Sequence, residues 1–127
     1  RLCIDPRRVF CAGMSNGGRL CQRLVSELPE VFAALALISS VRYPEPNNAT
    51  RPVPLIGFHG TDDGIDPYWG GPPAYWGPKS VPEEIERWAS FNGCTRTEVD
   101  RGTEGIVFCN RTGCADGADV VLVTIHG

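Results

Sequence analysis

Apolar residues in this chain fall into short blocks whose spacing changes along the sequence. Val9-Phe10-Cys11-Ala12 is an uninterrupted block closed by Gly13, which predicts a short buried strand. After a corner of small residues, Leu20, Cys21, Leu24, Val25 and Leu28 recur at helical spacing, with Arg19, Arg23 and Glu27 on the other side. This predicts an amphipathic helix over 18–28, stopped by Pro29, whose nitrogen has no hydrogen to donate. The dense run 31–38 ends in Ala34-Leu35-Ala36-Leu37-Ile38, which has the length of a buried strand, although its alanines also suit a helix. A polar, proline-rich loop over 42–52 leads to a further strand, Pro54-Leu55-Ile56-Gly57-Phe58-His59, ending at Gly60.

Residues 61–82 are rich in glycine, proline and aromatics, and Tyr68, Trp69, Tyr75 and Trp76 there either face a substrate or cover the core. Ser80-Val81-Pro82-Glu83 opens a second helix with acidic residues in its first turn, where they complement the helix dipole. Its apolar face is Ile85, Trp88 and Ala89, and Asn92-Gly93 ends it. Two more strands, Gly105-Ile106-Val107-Phe108 and the β-branched Val120-Val121-Leu122-Val123-Thr124-Ile125, flank a Cys- and Gly-rich turn at 109–118. The alternation of strands with helices predicts an α/β fold, a mostly parallel sheet with flanking helices.

At 127 residues, 42% apolar and 21% charged, the chain suits one core and is not disordered. Its Lys+Arg count of 12 against 15 Asp+Glu leaves a net charge of −3, and the basic residues are scattered, which argues against nucleic acid as a partner. No apolar run is long enough to span a bilayer as a helix. Cys3, Cys11, Cys21, Cys94, Cys109 and Cys114 contain no C-x-x-C pair, so a disulfide framework in an extracellular, secreted protein is expected in place of a metal site. Two glycosylation sequons agree with that compartment: Asn48-Ala49-Thr50 in a polar turn and Asn110-Arg111-Thr112 between cysteines.

Gly13-Met14-Ser15-Asn16-Gly17 has the G-x-S-x-G form of a nucleophile elbow, with an apolar strand before it and an amphipathic helix after it. Small residues on either side let the chain turn sharply and expose the serine. The Asn16 backbone N–H, next along the chain, is the expected oxyanion donor. Serine needs a histidine to take its proton and an acid to orient that histidine. Asp62-Asp63 follow the strand that ends at His59-Gly60, and either could serve as the acid or cap the turn. His59, at a strand end, reads as a packed or hydrogen-bonded residue and not as the base.

The chain resembles the secreted α/β-hydrolase esterases, which include feruloyl esterases, acetyl xylan esterases and polyhydroxybutyrate depolymerases. Ile4-Asp5-Pro6-Arg7-Arg8-Val9-Phe10 leading into Gly13-Met14-Ser15-Asn16-Gly17-Gly18 carries the likeness, with Val31-Phe32-Ala33-Ala34, Pro54-Leu55 and His59-Gly60-Thr61-Asp62-Asp63. Pro67-Tyr68-Trp69-Gly70-Gly71 and Trp88 with Asn92-Gly93-Cys94 continue it in family order. The resemblance implies Ser15 as nucleophile, Asp63 as acid, Asn16 as oxyanion residue, and a disulfide from Cys94 to Cys109 or Cys114. It implies no cofactor and no metal, and an ester substrate such as a feruloyl or acetyl group on plant cell-wall polysaccharide, or a polyester. The family's catalytic histidine follows a glycine-rich turn after the last strand, whereas Val123-Thr124-Ile125-His126-Gly127 only reaches that turn. The base is therefore expected beyond Gly127, with His126 as the fallback, and residues 1–127 as part of a single α/β-hydrolase catalytic domain, from nucleophile elbow to last strand. The implied function is a serine carboxylesterase; the alternative is an inactive extracellular structural or binding protein on the same scaffold.

Overall fold

The computed structural model describes residues 3–72 and 77–127. Strand β1 (Phe10–Met14) runs into helix α1 (Asn16–Glu27), followed by β2 (Ala34–Ile38) and β3 (Leu55–Gly60). Helix α2 (Val81–Phe91) precedes β4 (Arg96–Arg101), β5 (Ile106–Thr112) and β6 (Val120–Ile125). The six strands form one sheet in the order β1-β2-β3-β6-β5-β4. Strands β1, β2, β3 and β6 are parallel neighbours, and β5 and β4 continue the sheet antiparallel. The alanine-rich run 34–38 is thus a strand, held between two parallel partners.

Register shows which side of the sheet the core occupies. Cys11, Leu35, Leu55 and Val120 are aligned across the parallel strands, as are Gly13, Leu37, Gly57 and Leu122 two residues on. These positions point to one face. Cys21 and Val25 of α1 and Val81, Ile85 and Trp88 of α2 join Leu35, Leu37, Leu55, Val120 and Leu122 in one buried cluster. Both helices therefore cover the same face. On the other face Phe10 and Met14 are 61% and 67% exposed, so β1 is half exposed, in contrast to the buried strand expected.

Three further differences have physical causes. β4, Arg-Thr-Glu-Val-Asp-Arg, has no apolar alternation because every residue of this edge strand is exposed; only its ladder to β5 makes it a strand. β5 runs on through Cys109 and Asn110 to Thr112 against β6, so the expected turn at 109–118 shrinks to 113–119. In α1 the buried residues are Gly18, Cys21, Gln22, Val25 and Ser26, whereas Leu20 and Leu28 face solvent. The helix thus inserts a partly polar face, satisfied by hydrogen bonds, where an apolar stripe is expected.

Helix α2 starts at a Ser80 capping box, with Glu83 reaching back to the Ser80 backbone, and Trp88 is its fully buried anchor. The Trp88 indole N–H donates to Arg42 O at 2.9 Å, and the ring meets Tyr43 edge-on at 5.2 Å. Asn92, fully buried at the helix end, donates through Nδ2 to Val53 O at 2.9 Å and Ala118 O at 2.8 Å. Disulfides join Cys11 to Cys21 and Cys94 to Cys114, while Cys3 and Cys109 are free thiols. Of the two partners considered for Cys94, Cys114 is the bonded one. It lies in the turn that Ala115 N ties to Asn92 O at 2.8 Å, whereas Cys109 sits inside β5 opposite Leu122, with the Arg111 guanidinium 2.7 Å from its sulfur.

Candidate active site

Ser15 is the single residue between β1 and α1. Its backbone is held at φ 52°, ψ −123°, a conformation that costs a side-chain-bearing residue about 1–3 kcal/mol. Close packing enforces it. A Cβ on Gly13 would come within 2.5 Å of Gly18 N, and one on Gly18 within 2.8 Å of Gly13 O and of Ser40 Cβ. Ser15 N donates to Ile38 O at 2.9 Å, and Arg19 N donates to Ser15 O at 3.1 Å, the first intrahelical bond of α1. Serine is a preferred N-cap because its oxygen can accept from the first helical amides, yet the Ser15 hydroxyl caps nothing. Asn16 is exposed at the first helical position, where backbone N–H groups have no intrahelical acceptor and the helix dipole is positive.

The two adjacent acids occupy different environments. Asp62 is exposed, and its Oδ1 accepts the Thr61 hydroxyl at 3.3 Å. Asp63 is knitted into its turn: Oδ1 accepts the amides of Ile65 at 2.9 Å and Asp66 at 2.8 Å, and Oδ2 lies 3.5 Å from His59 Nε2. Burial alone would raise the Asp63 pKa. The amides of Asp66 and Ile65, the Ser39 hydroxyl and the nearby His59 outweigh it, and the carboxyl ends below its ordinary value. Ser39, just past β2, has φ 45° and donates its own N–H to Phe58 O at 2.9 Å. Sequence reasoning missed it; its only mark is its place directly after the apolar strand.

His59 is buried, and its Nε2 is 2.8 Å from Asp66 O, an acceptor, so Nε2 carries the hydrogen. Among the described residues its buried Nδ1 has no hydrogen-bond partner. His126 is exposed just past β6, with its backbone N–H on Gly105 O at 2.7 Å. Ser15, Ser39, Asp63 and His126 thus follow the C-terminal ends of the four parallel strands, the edge where open α/β sheets bind ligands. Among the described residues, no hydrogen bond joins the Ser15 hydroxyl to a histidine.

A cavity of about 390 Å³ near this edge is lined by Thr61, Tyr68, Trp69, Cys109, Thr124 and His126, among others. Tyr68 belongs to the core: its hydroxyl meets Thr124 Oγ1 at 2.8 Å, and burial raises its pKa. Trp69 stands 69% exposed against the Tyr68 ring, a position open to a ligand. Tyr75 and Trp76 lie outside the described residues. Of the two sequon asparagines, exposed Asn48 donates to Glu27 at 3.1 Å, and half-buried Asn110 lies within β5. Among the described residues, no helix is long and apolar enough to cross a membrane.

A mostly parallel sheet, covered by helices and turning from strand to helix at a strained serine, is part of an α/β-hydrolase fold. Comparison with known proteins places the chain more closely. Over its whole length it is 31% identical to feruloyl esterase B of Piromyces equi, covering 25% of that protein. It is 30% identical to the putative esterase NocK of Nocardia uniformis subsp. tsuyamanensis over 98% of the chain, covering 42% of that protein. It is 31% identical to feruloyl esterase D of Neurospora crassa over 99% of the chain, covering 41% of that protein. No family model matches. Over nearly all of its length the chain is similar to these esterases, and it spans between a quarter and about two fifths of their length.

Proposed function

We propose that this chain carries the nucleophile and the acid of a serine carboxylesterase, Ser15 and Asp63. The observation that carries the proposal is the backbone of Ser15, strained at a strand-to-helix corner while its hydroxyl forgoes the cap it could make. Ser15 Oγ attacks the ester carbonyl carbon and its proton passes to a histidine, as the serine triads do. The Asn16 N–H and a second donor hold the resulting oxyanion. Collapse expels the alcohol, which takes the proton from the histidine. Water then gives a proton to the same histidine as it attacks the acyl-enzyme; the carboxylic acid leaves, and Ser15 regains its hydrogen. With Oδ1 engaged by two amides, Asp63 offers Oδ2 to orient the base.

The histidine is assigned to the remainder of a larger catalytic domain, with His126 as the alternative. That remainder also covers the apolar sheet face on which Phe10, Met14, Ile38 and Ile125 are exposed. The names of relatives, feruloyl esterase and acetylxylan esterase, support a feruloyl or acetyl ester as substrate; we propose that plant cell-wall polysaccharide bears it, with a polyester as the alternative. Two disulfides support an extracellular location.

The test is to treat the full-length protein with a serine-directed fluorophosphonate, map the label by mass spectrometry, and assay methyl ferulate and 4-nitrophenyl acetate. Labelling at Ser15, with both label and hydrolysis lost in Ser15→Ala, is expected. Absence of both in the folded wild type overturns the assignment and leaves the inactive scaffold.

A further inference from the structure

We infer that Asp66 is a positioning residue that clamps the acid loop to the first turn of the helix following Ser15. The inference rests on Ser15 and Asp63 being the nucleophile and the acid. The Asp66 backbone already serves the turn locally, its N–H bonded to Asp63 Oδ1 and its carbonyl to His59 Nε2. Its side chain does something else. The carboxylate, only 5% exposed, accepts Arg19 Nη2 on Oδ2 at 2.8 Å and Arg42 Nη2 on Oδ1. One oxygen is therefore tied to α1 and the other to the segment after β2.

Each arginine is itself fixed. Arg19 N donates to Ser15 O, so this arginine sits one helical turn from the nucleophile. Arg42 Nη1 donates to Val41 O at 2.7 Å, Arg42 N to Gln22 Oε1 at 2.7 Å, and Arg42 O accepts the Trp88 indole. Gln22 in turn donates to Ser40 O at 2.7 Å and Gly18 O at 3.1 Å. A continuous run of directed bonds thus passes from the helix beside Ser15, through Asp66, to the two amides that grip Asp63.

Stability alone does not call for this arrangement. A buried ion cluster is about as stable as, or less stable than, an apolar replacement of the same volume, because its charges must be stripped of water. What two arginines on separate oxygens do supply is fixed geometry. A triad acid displaced by about 1 Å can lose on the order of 10²-fold in rate. Arg19–Asp66 is the bond that crosses directly between the two catalytic elements.

The test uses full-length protein and leaves the buried Arg42–Asp66 pair intact. Arg19→Met should lower kcat for 4-nitrophenyl acetate roughly 10- to 100-fold with KM nearly unchanged, and Arg19→Lys should recover part of the loss. In an Asp63→Asn background, Arg19→Met should change kcat by less than about twofold, because the group it positions is gone. Hydrogen exchange at the Ile65 and Asp66 amides should accelerate in Arg19→Met while α2 stays protected. An unchanged kcat, or the same loss in both backgrounds, overturns the inference. If wild type fails to label at Ser15, the esterase assignment fails, and unchanged Ile65 and Asp66 exchange then overturns the clamp separately.

Discussion

Replacing Asn92 with alanine should be among the most damaging single changes outside the candidate site. The side chain is fully buried and joins three separated stretches of chain: the end of α2, the approach to β3 and the approach to β6. Truncation leaves the carbonyls of Val53 and Ala118 without their donor and the Val53 N–H without an acceptor that lies 3.4 Å away. A buried group left unpaired costs about 1–3 kcal/mol. With the long Val53 bond contributing least, the total is about 3–5 kcal/mol, a large share of the roughly 5–15 kcal/mol of a typical domain. The Asn92 carbonyl still accepts Ala115 N, so the helix end itself is not lost. Urea denaturation followed by tryptophan fluorescence reports the change directly, because Trp88 lies one turn earlier in α2. Asn92→Asp sharpens the test, since an ionised carboxylate would face two carbonyls and should be worse than alanine at neutral pH. A loss below about 1 kcal/mol for Asn92→Ala, or an aspartate variant as stable as wild type, would refute this account of the connection.

Steady-state hydrolysis should separate the adjacent acids: Asp63→Asn is expected to lower kcat roughly 10²- to 10⁴-fold, and Asp62→Asn to have a much smaller effect. Non-reducing peptide mapping should recover Cys94 linked to Cys114. Removing that bond, which closes a separation of 20 residues, should cost about 3 kcal/mol on the chain-entropy model, read as a lower denaturation midpoint in Cys94→Ser/Cys114→Ser. Because the Asp63 pKa is lowered on folding, its ionised form adds stability that is full above the ordinary carboxylate range. That contribution is lost as pH falls through the depressed folded value, so the stability gap between wild type and Asp63→Asn should narrow from pH 7 to pH 3.

The elements that carry the candidate chemistry were the legible ones. A strand, a small-residue corner and a helix around Ser15 are local, and Gly13 and Gly18 announce the close packing there. Position along the edge followed from strand order once Asp63 was attached to β3 and the last residues to β6. What escaped was encoded between distant segments. Arg19 and Arg42 read as solvent-side charges because nothing near them in sequence shows that Asp66 lies between them. Gln22 and Ser26 are not among the apolar positions that define the face of α1, yet they are buried, with carbonyls of the loop after β2 receiving their hydrogens. β4 escaped for the opposite reason: all its side chains are exposed, so no apolar alternation could announce it.

The Cys11–Cys21 bond encloses the serine corner in a covalent ring, with Gly13, Ser15 and Gly18 all inside it. The unfavourable backbone of Ser15 therefore cannot relax by letting α1 slide or peel from β1 unless the ring is first opened. The corner is thus held twice, by the close packing at Gly13 and Gly18 and by the ring, and the redox state of the compartment in which the chain matures should bear on how firmly Ser15, the proposed nucleophile, is aimed. A preparation made in a reducing cytoplasm can hold the same secondary structure and still present its serine less rigidly. Loss of labelling with retained circular dichroism, restored by oxidation, is the signature of that state.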